Sequence, residues 1–87
     1  MLNSVVIEGT VIQITGTENQ GCIFIKNTTR GKSFTIRCVV RDNLWNSLIT
    51  LSINSKIRAV GRLEESNNRL YIVCEHIEIA PRLTAED

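Results

Sequence analysis

Nine consecutive residues, Ser33 to Arg41, put Phe34, Ile36, Cys38 and Val40 on one parity and Thr35, Arg37, Val39 and Arg41 on the other. A side-chain period of two is that of a strand with one face on a core and one in water. By this alternation Phe34 belongs to the core. The outward face carries two arginines. A rigid sheet that presents cations to solvent can hold a phosphate backbone.

The rest of the chain reads as strands arranged around this one. Residues 3–15 are rich in Val, Ile and Thr, with Gly9 as a point of bend or bulge. After the turn cluster 16–21, residues 22–28 form a second strand. Thr29-Arg30-Gly31-Lys32 is a tight basic hairpin in which Gly31 can take positive φ. The period then changes. Leu44, Leu48 and Leu51 fall at i, i+4, i+7, predicting a short amphipathic helix over 42–51 capped by Asp42 or Asn43. Trp45 on that helix can be a base-stacking surface or a plug at a barrel end, and its leucine neighbours favour the plug. Residues 56–63 and 70–79 are the fourth and fifth strands, joined by a polar loop at 64–69 and closed by Ala80-Pro81.

The order β-β-β-α-β-β predicts an all-β chain with one short helix, a five-stranded Greek-key OB-fold barrel. It is a single domain over 1–80 with a short polar tail at 81–87. That fold offers its second and third strands and two flanking loops to oligonucleotides or oligosaccharides.

The net charge of +1 hides a division along the chain. Residues 1–18 carry −2, residues 19–62 carry +7 and residues 63–87 carry −4, and from Asn19 through Arg41 there is no acid. A one-sign central segment points to a polyanionic partner. Lys26, Arg30, Lys32, Arg37, Arg41, Arg58, Arg62 and Arg69 are the candidate phosphate contacts, with Tyr71 a candidate stacking surface.

Other functions find less support. Cys22, Cys38 and Cys74 stand alone in apolar strands, without a CxxC or a Cys/His pair at ligand spacing, and read as three buried thiols in a reducing compartment. No metal or cofactor site is expected, and no Ser/His/Asp set or carboxylate pair suggests an enzyme. No apolar run approaches a membrane span, and the N-terminus does not read as a signal peptide, so the expected compartment is the cytoplasm.

Four segments resemble the bacterial single-stranded-DNA-binding protein family. They are Asn3–Gly9, Ile36–Val40, Ile57–Leu63 (Ile-Arg-Ala-Val-Gly-Arg-Leu) and Tyr71–Ile79, which together span residues 3–79. The resemblance implies an OB fold, non-sequence-specific single-stranded DNA binding in replication, recombination or repair, and self-association into a dimer or tetramer through the first strand. Val5, Val6 and Ile7 are the interface residues it implies, and they are apolar on both parities. RNA stays open as a ligand. The departures are specific. Aligned on Cys38, Thr35 and Arg41 stand where the family usually places base-stacking aromatics, while sliding the register by one residue puts Phe34 at the first of those positions instead. The turn 29–32 and loop 64–69 are short, and the family's acidic, partner-recruiting tail is missing. A second reading is therefore a protein-interaction or primosomal adaptor, similar to primosomal replication protein N, with weak nucleic-acid binding.

Overall fold

The computed structural model describes residues 3–48 and 50–80. Five strands, β1 (Val5–Gly16), β2 (Gln20–Thr29), β3 (Lys32–Arg41), β4 (Lys56–Ser66) and β5 (Arg69–Ile79), close into a barrel in the order β1-β2-β3-β5-β4. All pairings are antiparallel except β3 with β5, which meet in parallel at Cys38↔Ile72 and Val39↔Val73. One short helix, α1 (Asp42–Asn46), lies between β3 and β4. This is the OB-fold barrel that the element order predicts. No helix among the described residues is long and apolar enough to cross a membrane.

The core follows from strand alternation. Val11, Ile23, Ile25, Cys38, Val40, Ile57, Ala59, Ile72 and Cys74 point inward and are buried. Each Val or Ile among them taken from water contributes roughly 1.5–3 kcal/mol. The long first strand serves two neighbours. It pairs with β4 from Val5 to Thr10 and with β2 from Thr10 onward. Gly9 sits at the exchange, where a Cβ would run into the Lys26 carbonyl and the Ile25 side chain. The bulge itself comes later, between Val11 and Gln13.

Several expectations are corrected. The helix has five residues rather than ten, and its cap is the extended Arg41, with no side-chain cap bond from Asp42 or Asn43. Asp42 instead takes φ 54°. Past Asn46 the chain tightens into single turns, Leu48 N–H to Trp45 O at 3.1 Å and Leu51 N–H to Leu48 O at 3.0 Å. Ser47 Oγ donates to the Leu44 carbonyl at 2.7 Å, a local bond that competes with helix continuation. Leu44, Trp45, Leu48 and Leu51 still pack on the core. The polar loop at 64–69 is mostly strand. Glu64, Glu65 and Ser66 pair with Tyr71, Leu70 and Arg69, and Asn67 and Asn68 make a two-residue turn at φ 54° and 64°. Such turns need positive φ, which Asn tolerates. The matching turn between β2 and β3 uses Arg30 and Gly31 at φ 55° and 78°.

Phe34 has the parity of the core but is 51% exposed. It faces Asn27 in the part of the β2–β3 hairpin that runs past the barrel, where β5 no longer pairs with β3. Cys22 is half-buried, while Cys38 and Cys74 are buried. The proposed tail, 81–87, lies outside the described residues.

Trp45 plugs one end of the barrel. Its ring lies on Gly16 and Gly21, which are cross-strand partners, and a Cβ on Gly16 would sit 2.7 Å from ring atom Cζ2. Its indole Nε1 donates to the Thr17 carbonyl at 2.8 Å, so the polar end of the ring is satisfied.

Candidate nucleic-acid interface

With the core parity assigned, the outward residues follow. β2 presents Cys22, Phe24 and Lys26. β3 presents Thr35, Arg37, Val39 and Arg41. β5 presents Arg69, Tyr71 and Val73. Because β3 lies between β2 and β5, these three strands form one continuous face.

The centre of the face is a cluster of three side chains. Arg37 is the direct cross-strand partner of Phe24. Its Cζ lies 4.9 Å from the ring centroid of Tyr71. A guanidinium at that distance is held by the ring quadrupole. Phe24 and Tyr71 are both half-buried, so each ring is anchored in the sheet with part of its surface open. Below them, Val39 and Val73 pair across β3 and β5 and are 7% and 9% exposed. An apolar floor, two aromatic rings and a stacked guanidinium make a platform to which flat, apolar-faced groups can adhere.

Cations border the platform. Lys26 faces Thr35 next to Phe24, and Arg41 ends β3 opposite Gln20. Arg69 shares the face of Tyr71, two residues away on the same strand. Arg30 and Lys32 bracket Gly31 at the tip of the β2–β3 hairpin. β2 and β3 contain no acid. The nearest carboxylate in register is that of Glu64, across from Tyr71, and it is engaged by Arg62 at 3.3 Å.

Arg58 and Arg62 lie on β4, where Arg58 faces Glu8 and Glu78 and Arg62 faces Val73 at the β5 edge of the platform. They point out from β4, between β1 and β5. Arg58 Nε binds Glu8 Oε2 at 2.9 Å and Nη1 reaches Glu78 at 3.8 Å. Arg62 Nε binds Glu75 at 3.1 Å. These pairs are exposed and add little stability. Their effect is to cancel charge on that side of the barrel. The predicted cation set thus divides into six residues without a matching acid among the described residues, on or around the β2–β3–β5 face, and two that are ion-paired in a mixed-charge ladder on β4 beside it.

Of the residues proposed for self-association, Val5 and Ile7 pack against the core, while Val6 faces outward opposite Val60 and is 58% exposed. The two apolar parities of β1 therefore have different roles within one chain.

Phe24 was not singled out in the sequence. The signal was present, since Ile23 and Ile25 as core residues require Phe24 to face outward. No group of three or more His, Cys, Asp or Glu side chains among the described residues could hold a metal.

No family model matches this chain. No curated protein matches it either. Solved structures do match at the level of fold. It superimposes on the S. pombe Stn1–Ten1 complex with a TM-score of 0.78 at 13% identity, covering 98% of this chain and 63% of that one. The dimeric N-terminal domain of PriB from Thermoanaerobacter tencongensis gives 0.74 at 13% identity, covering 92% and 98%. The mitochondrial single-stranded DNA binding protein Rim1 from S. cerevisiae gives 0.75 at 14% identity, covering 91% and 95%. The shared property is the OB-fold barrel.

Proposed function

We propose that this chain binds single-stranded DNA without sequence specificity through the outer face of β2, β3 and β5. The observation that carries this reading is the Arg37–Tyr71 stack beside Phe24, on a face bordered by Lys26, Arg41 and Arg69. Every base has a π-face, so aromatic stacking accepts any sequence. The cations hold the phosphates, and Arg30 and Lys32 extend the contact at the hairpin tip. Arg58 and Arg62 are outside this site because their charges are already met. The solved structures named for single-stranded DNA binding support the reading at the level of fold. A role in replication, recombination or repair follows from that ligand. Three unpaired thiols fit a reducing compartment, the cytoplasm.

The test is a titration of labelled oligo-dT at about 50 mM and about 200 mM salt. Binding that weakens steeply with salt supports the proposal. No binding at the lower salt rejects it, and a clear preference for oligo-U reassigns the ligand to RNA.

Self-association through β1 is part of the same proposal. The edge of Val5–Ile7 turned away from β4 carries no ladder, and on it Val6 is exposed. Sedimentation at micromolar concentration is expected to show a dimer or tetramer.

A second reading, a protein-binding adaptor, draws on Phe34 and Leu70. They are 51% and 59% exposed at the barrel end opposite Trp45. Phe34→Ser with Leu70→Ser leaving DNA affinity unchanged, while abolishing capture of a protein partner, favours it.

A further inference from the structure

A groove of about 560 Å³ runs across β1 where that strand changes neighbours. Thr10 is its midpoint. It is the cross-strand partner of Lys26 on β2 and of Lys56 on β4. A row across adjacent strands points to one face of the sheet. Lys26 and Lys56 therefore stand on the same outward surface, two strand spacings or about 10 Å apart.

Both lysines are exposed, and among the described residues neither has a carboxylate in ion-pair range. Glu8 lines the groove, but its carboxylate is held by Arg58 at 2.9 Å. The remaining lining includes Thr10, Ile12, Thr28, whose hydroxyl is hydrogen-bonded to that of Ser33 at 2.8 Å, and Asn54, whose backbone N–H is fixed on the Val11 carbonyl at 2.7 Å. Two unmatched ammonium groups flanking Thr10 on one surface, with no free acid between them, favour an anion there. The groove is open along its length, so it suits a chain passing through rather than an enclosed small molecule.

One wall of the groove is already part of the stacking face. Lys26 is the partner of Thr35 on one side and of Thr10 on the other. We propose that Lys26, Thr10 and Lys56 form a second phosphate-contact site, which carries the bound single strand from the β2–β3–β5 face across β1 to β4. The inference rests on the single-strand reading above and adds a direction and a length to it. Lys56 acts in it as a phosphate-contact residue.

The test compares wild type with Lys56→Ala and Lys56→Arg on oligo-dT of increasing length, in low and high salt. The shortest oligonucleotide that binds is expected to bind wild type and Lys56→Ala equally. Longer oligonucleotides are expected to gain affinity on wild type and Lys56→Arg but not on Lys56→Ala. The slope of log affinity against log salt falls by about 0.7 in Lys56→Ala for each phosphate lost. Equal affinity and slope for all three proteins at every length overturns the groove while leaving the stacking face standing. No binding of any oligonucleotide to wild type overturns both.

Discussion

Arg37 is the residue around which the candidate site is arranged, because it touches both kinds of chemistry the site offers. Its guanidinium stacks on Tyr71 and its backbone pairs with Phe24. A base entering the platform either displaces that guanidinium from Tyr71 or stacks on its outer side, and in both cases the cation stays within reach of a phosphate. Tyr71→Ala is expected to weaken oligo-dT binding about tenfold, within the range of one lost base-stacking contact, with Tyr71→Phe close to wild type. Fluorescence anisotropy measures both.

Cys38 gives a second prediction at this scale. The adjoining Cys74 thiol and burial hold its proton far above the ordinary thiol value of 9.0. A proton bound more tightly in the folded state contributes stability that is whole below pH 9.0 and is lost as pH rises above it, because the unfolded thiol then ionises first. The same contact lowers the Cys74 thiol, an opposite contribution, so the alkaline dependence of the urea midpoint belongs to the pair and should change in Cys38→Ala. In the native protein at neutral pH, half-buried Cys22 should react with a thiol probe before either buried cysteine.

At the scale of elements, α1 matters less as a helix than as a mount for Trp45. Five residues cannot hold a helix in isolation. The indole covers Gly16 and Gly21 at the end of the β1–β2 pairing and ties itself to Thr17. Trp45→Ala is expected to cost about 3 kcal/mol, the lower end for loss of a packed tryptophan, because the ring is only partly buried. The drop should appear in a denaturation midpoint, with oligo-dT affinity retained wherever the protein is folded. If Trp45 were itself a stacking surface, affinity would fall in the folded variant. The two turns between long strands, Arg30-Gly31 and Asn67-Asn68, carry β2, β3, β4 and β5 beyond the barrel. That extension leaves Phe34 and Leu70 in solvent.

At the scale of the whole molecule, charge is segregated by side. The β2–β3–β5 face carries cations without matching acids, while the β1–β4–β5 side pairs Arg58 and Arg62 with Glu8, Glu64, Glu75 and Glu78. On the shortest oligonucleotide that binds, Arg58→Ala combined with Arg62→Ala should change DNA affinity less than twofold, whereas Arg37→Ala combined with Arg41→Ala should lower it more than tenfold and flatten the salt dependence. Filter binding across a salt series distinguishes these outcomes. Equal losses from the two pairs would mean the bound strand covers the ladder as well as the platform.

The five strands, their order along the chain and the single interposed helix were legible in the residues alone, because a period of two and its interruption at 42–51 are local properties of the chain. So was the excess of positive charge across 19–62, since charge is a matter of composition. Which cations share a surface was not legible. Arg37 and Arg58 both alternate outward on their strands, but β4 is laid beside β1, which puts Glu8 across from Arg58, while β3 is laid between β2 and β5, which puts Arg37 between two aromatic rings. Phe34 shows the same limit. Alternation sets the parity of a side chain, but only the closure of the barrel decides how far along a strand that parity remains inside.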